Sequence, residues 1–175
     1  MKQPSILLAL AGMASLAASA QAPPSVETRF ENPKRFTDFR IDHWRDARQA
    51  QALADELRRW IAHEAPRYLP AGSKLTVTVT DVDMAGEFEP WHRATSTDIR
   101  VVREIYPSRV SLAFSLADDT GKVVMEGERK LVSTFLFSGS LLGGDGPLRY
   151  EKVLLRDWLS REFGRAHAVA QHAER

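Results

Sequence analysis

The feature that most constrains this chain is a helical stripe set between two stretches of strand. "SVETRF" (25–30) alternates, with Val26, Thr28 and Phe30 on one face. Further on, Trp44, Ala47, Ala50, Leu53, Leu57, Trp60 and Ile61 recur at three- and four-residue steps, while Arg45, Arg48, Asp55, Arg58 and Arg59 occupy other faces. Asp42 is placed to cap this helix, and Pro66 ends it. "KLTVTV" from Lys74 then returns to alternation. Strand, helix and strand in this order favour parallel pairing through a right-handed crossover.

The second half of the chain adds antiparallel strands. "DIRVV" (98–102) is a strand candidate after a polar loop at 86–97 that carries Trp91 and His92. Val110, Leu112, Phe114 and Leu116 alternate with small residues, "DDTG" turns the chain, and "KVVMEGERKL" returns. Gly127 there marks a bulge or a close backbone approach. "SGSLLGGDGP" leads into a second helix, with Pro147 near its first turn and Leu148, Leu155, Trp158, Leu159 and Phe163 as its stripe. Gly164 is a fitting stop, and the tail "RAHAVAQHAER" either extends the helix or frays. The predicted fold is α+β in two layers: a mixed, mostly antiparallel sheet of about four to five strands, with two main helices on one face. One domain is expected over 26–164, after a leader at 21–25 and before a tail at 165–175.

Residues 1–20 read as a signal peptide. Lys2 precedes an apolar stretch from Ile6 to Leu16, and Ala18-Ser19-Ala20 suits a peptidase that cuts after Ala20. The stretch falls short of the ~20 residues a membrane span needs, so no anchor is expected in the mature chain. Without cysteine there is neither a lipidation site nor a disulfide, and burial alone must hold the domain. Removing Lys2 leaves 23 basic residues against 23 acidic ones. That balance argues against a nucleic-acid binder. The expected location is periplasmic or secreted.

The strand from Lys74 raises the question of a site. Continuing its alternation past Val79 places Asp81 and Asp83 on the apolar face. Carboxylates two residues apart span ~6.6 Å and can converge on a cation, with Glu87 and Glu89 just beyond. The other reading is a structural rim, with Asp81 and Asp83 held by backbone amides or by Arg100 and Arg103. The rim is the expected reading, with no metal and no cofactor.

Other motifs carry less. His43, His63, His92, His167 and His172 form no H-E-x-x-H pattern. No G-x-S-x-G elbow is present, and the Gly-rich loop lacks the Lys-Ser/Thr of a phosphate-binding loop. Trp91 and His92 in the polar loop are candidates for a partner-binding loop.

"NPKRFTD", "VTVTDVDMAGE", "DIRVVREIYPSR" and "LRYEKVLLRDWL" resemble, in this order, a bacterial family known as domain of unknown function 3016. The likeness runs from about Val26 to Phe163. Its members are typically exported, which is what the resemblance implies for this chain. It implies no activity, cofactor or catalytic residue. The order of elements is also similar to small periplasmic accessory domains, a likeness of fold alone. The expected function is a non-catalytic accessory or binding module of the envelope, its partner unknown, an envelope protein being the candidate. The alternatives are a small hydrolase or metal-dependent enzyme using Asp81, Asp83 and Glu87, and a homo-oligomer built through an exposed sheet edge, the first strand being the candidate.

Overall fold

The computed structural model describes residues 22–42, 46–88, 100–133 and 146–173, with side chains to Gly164. Four strands form one sheet in the order β1 (Ser25–Phe30), β2 (Lys74–Asp83), β3 (Arg109–Ala117), β4 (Val123–Val132). β1 runs parallel to β2, and the other two pairings are antiparallel. The crossover between β1 and β2 is α1 (Ala47–Glu64), and α2 (Arg149–Ala173) closes the chain. The expected two-layer α+β fold is the one observed.

Alternation builds the core. Leu75, Val77 and Val79 of β2 and Val110, Leu112, Phe114 and Leu116 of β3 are buried, facing Leu53, Leu57 and Ile61 of α1 and Leu155, Trp158, Leu159 and Phe163 of α2. Phe114, Trp158 and Phe163 meet edge to face, with ring centroids 5.5–5.6 Å apart. Such contacts add to the stabilisation from burial alone. Trp60 packs against this core from its margin. Glu64, at the end of α1, is buried and ties the helices together, accepting from Arg156 at 2.9 Å. Lys152 reaches Glu56 at 2.6 Å.

Three local expectations change. Asp46, not Asp42, caps α1: its side chain accepts the Arg48 N–H, whereas Asp42 accepts from Gln49 Nε2. A helix needs its cap immediately before the first turn, and the turn starts at Ala47. Residues 100–102 add no strand to the sheet, because β3 occupies the place beside β2; Val101 forms an isolated bridge with Glu87. α2 does not stop at Gly164 but continues to Ala173. One glycine costs a helix only ~1 kcal/mol relative to alanine, and the alanines at 166, 168 and 170 favour continuation.

The largest change lies at the end of β2. Val79 pairs with Leu112 and Asp81 with Ser111, so Thr80 is an extra residue without a partner. This bulge resets the alternation. Val82 now takes the buried face, and Asp81 and Asp83 lie on the polar one. Gly127 sits in regular register opposite Phe114, where an added Cβ would lie 2.9 Å from the Arg129 guanidinium and 3.5 Å from the Phe114 ring. It marks a close approach and not a bulge.

Candidate functional site

After β1 the chain makes a 3-10 turn at Pro33–Arg35 and returns to β2 beyond the bulge. The Asp38 N–H donates to the Val82 carbonyl at 3.1 Å, and the Met84 N–H donates to the Asp38 carbonyl at 2.9 Å. This splice carries Thr37 to Asp81, whose two carboxylate oxygens accept from the Thr37 N–H and Oγ1, both at 2.7 Å. Asp83 meets Arg109 of β3 at 2.8 Å. Partial burial nonetheless pushes the Asp83 carboxyl above its ordinary value, outweighing Arg109, and the Asp38 and Asp81 charges push the same way. Glu87 Oε1 accepts the Phe88 N–H at 2.9 Å and lies 3.9 Å from Arg40. These three carboxylates therefore have three separate sets of partners.

Arg100, expected opposite Asp81 and Asp83, pairs instead with Asp38 at 2.9 Å. It also donates to the Gly86 carbonyl at 2.8 Å and the Arg40 carbonyl at 3.0 Å, and its guanidinium lies over the Phe88 ring at 4.5 Å. Arg40 binds the other Asp38 oxygen at 2.8 Å and also approaches Phe88. Asp38 is 6% exposed and shared by two guanidinium groups, so its charge is compensated where burial demands it. Arg103 is exposed, and its backbone carbonyl accepts the Tyr106 N–H.

Beneath the turn at Ala85–Gly86 lies Glu151, from the first turn of α2 and 0% exposed. Its Oε1 accepts the Ala85 N–H at 2.9 Å, and Oε2 has no hydrogen-bond partner. Burial raises this carboxyl's pKa; the Ala85 amide, the nearby Ser108 hydroxyl and the Arg100 charge only partly pull it back. Ser108 is fully buried, and its side-chain hydroxyl, like Oε2, has no hydrogen-bond partner. Next to this group, with Ala85 and Tyr150 in its wall, opens a cleft of about 300 Å³ lined also by Ile41, Met84, Arg100, Val102 and Arg149; Glu151 itself stays behind that wall. The Arg149 guanidinium lies 5.0 Å from the Tyr150 ring. The cleft joins apolar side chains to the Arg149 guanidinium, which suits an apolar segment bearing a polar or anionic group.

Trp91 and His92 lie outside the described residues, as do His43, Glu89 and the Gly-rich loop to Asp145. Among the described residues no cluster of three or more His, Asp or Glu is placed to hold a metal ion, and no helix is long and apolar enough to cross a membrane. Sequence reasoning missed Glu151 and Asp38. Glu151 had a signal: it stands three residues after Leu148 and four before Leu155, on the apolar stripe of its own helix. Asp38 had none, since its place depends on the bulge in β2.

The fold and this cleft define a small α+β domain with one sheet face covered by helices. A family model described as "Protein of unknown function (DUF3016)" matches residues 24–161, and the chain belongs to that family. A search of curated proteins finds no match.

Proposed function

We propose that this chain is an exported bacterial protein acting as a non-catalytic accessory or binding module of the envelope, with the cleft between Ile41, Val102, Arg149 and Tyr150 as its contact site. The observation that carries this reading is the cleft's division of labour. Arg100 is committed to Asp38 and to backbone carbonyls, while Ile41 and Val102 on the rim remain 49% and 39% exposed. A surface with its internal charges compensated and its rim apolar favours contact over bond cleavage. A hydrolase using Asp81, Asp83 and Glu87 is the weaker reading, because Thr37, Arg109 and Arg40 already hold those groups apart. Asp81 and Asp83 are read instead as structural. Export rests on the leader at residues 1–20.

Site-specific photocrosslinking in a bacterial periplasm tests the reading, with the probe placed at Val102 or Tyr150 and, as control, at Thr76 on the open sheet face. Adducts to an envelope component at the first two positions and none at Thr76 support it. Equal labelling at all three positions overturns the cleft assignment. Cation-dependent hydrolysis by the purified protein, lost in Asp81→Asn, overturns the non-catalytic reading. Mass spectrometry of the same fraction checks export: a mature chain beginning at Gln21 is expected, and a chain retaining Met1 counts against it.

A further inference from the structure

The two edges of the sheet differ. At β1, Arg58 of α1 donates to the Thr28 carbonyl at 3.2 Å and its guanidinium lies 5.4 Å from the Phe30 ring, so a side chain already occupies that edge. No described strand pairs with the outer edge of β4. The strand nonetheless carries three exposed valines: Val123 at 48%, Val124 at 57% and Val132 at 53%.

The register shows what this edge offers. Ser133 donates to the Ser108 carbonyl at 2.9 Å, one step beyond the Arg109–Val132 pair. Antiparallel ladders alternate, so the backbone groups of Leu131 and Arg129 point to β3. Those of Val132, Lys130, Glu128 and Glu126 therefore point outward. The side chains of these same residues lie on the open sheet face, and Glu126, Glu128 and Lys130 form no ion pair among the described residues.

We propose that β4 pairs antiparallel with β4 of a second copy of this chain, about a two-fold axis at Glu128. In that register Glu126 meets the partner's Lys130 twice, while Val124, the extra residue where β4 slips against Leu116 and Ala117, lies beyond the regular ladder. On the helix face, Met125 meets the partner's Leu131. Moving the axis to Gly127 sets Glu126 against Glu128, and moving it to Arg129 sets Arg129 against its own copy and Met125 against Ser133. The register at Glu128 alone matches both charge and apolar surface, and it keeps the interface isologous and closed. Its one unfavourable contact is Glu128 against its own copy, where like charges face each other. No residue of this edge belongs to the cleft, so the dimer and the binding reading succeed or fail separately.

Sedimentation velocity of the mature chain, across a concentration series, tests the proposal. A monomer–dimer equilibrium is expected for the native protein. Lys130→Glu and Glu126→Lys should each weaken it about tenfold or more. The double exchange Glu126→Lys with Lys130→Glu should restore it, and Glu128→Gln should tighten it. Circular dichroism melts of each variant confirm that the monomer fold is intact. A native chain that stays monomeric at every concentration overturns the proposal. So does dimerisation indifferent to the single exchanges, or a double exchange that fails to rescue.

Discussion

Asp83 and Arg109 are Cα partners across the β2–β3 ladder, and their side chains close an ion pair at 2.8 Å. The Arg109 side chain is 52% exposed, so solvent screens the pair and its removal should be mild. Asp83→Asn is expected to cost less than ~1 kcal/mol. Asp81→Asn should cost more, ~1–2 kcal/mol, because Asp81 holds the Thr37 N–H and hydroxyl and through them the splice onto β2. Urea melts of both variants decide the order, and the reverse ranking would show that Asp81 does not hold the splice. Neither Ca²⁺ nor Mg²⁺ should move the melting temperature of the native chain by more than a degree or two; a bound ion at a hundredfold excess would add ~2.7 kcal/mol.

Glu151 should make stability depend on pH in a particular direction. Its carboxyl is raised by burial, so folding favours the protonated form. The contribution from this group is full below the unfolded value near ~4.3 and falls as pH rises toward the raised native value. Urea midpoints at pH 5 and pH 8 should therefore show the native protein losing stability over that interval, with Glu151→Gln losing less. Asp83, whose carboxyl is raised by partial burial, adds a slope of the same sign, so Asp83→Asn is the necessary comparison. An unchanged slope in Glu151→Gln would remove Glu151 from the explanation.

Gly86 allows the turn above Glu151. Its φ is +86°, and an added Cβ would lie 2.8 Å from the Val101 carbonyl oxygen. Gly86→Ala is expected to destabilise by ~1–3 kcal/mol, from left-handed backbone strain and from the displacement of residues 100–102. Denaturant melts check the magnitude. A neutral substitution would show that the turn readily shifts.

Leu112 and Leu155 are 2% and 0% exposed, on opposite layers of one core. Truncating either to alanine should cost ~2–5 kcal/mol, including the cavity left behind. Urea unfolding measures it, and a loss under ~0.5 kcal/mol would mean the layers are not packed as described.

The stripes at Leu53, Leu57 and Ile61 and at Leu155, Leu159 and Phe163, with the alternation through Leu112 and Phe114, made both layers legible in the sequence. Periodicity reports a face directly, and the residues it chose are buried. It fails where one residue is inserted. Thr80 is an ordinary strand residue by type, and only its lack of a partner opposite β3 reveals the bulge that turns Asp81 and Asp83 outward. The site was harder to read because its parts come from distant segments. Asp38, Ala85, Arg100 and Glu151 are joined by an ion pair, by hydrogen bonds to backbone groups and through two buried carboxyls, none of which has a local pattern. Arg100 was singled out from its sequence position, but its partner Asp38 was not.

The splice of residues 37–39 onto β2 also bears on the order in which the molecule can assemble. Among the described strands β1 pairs only with β2, Ser25 meeting Lys74, and Asp38 binds the same strand further on. Synthesis delivers the N-terminus first, so both segments wait for Lys74–Asp83 before they have a sheet to join. The β3–β4 hairpin, by contrast, closes through a short turn at 118–122. Contacts between distant segments form slowly, and nearby ones form early. The hairpin can thus serve as the template on which β2 docks, and the N-terminal segments are the last to find their place.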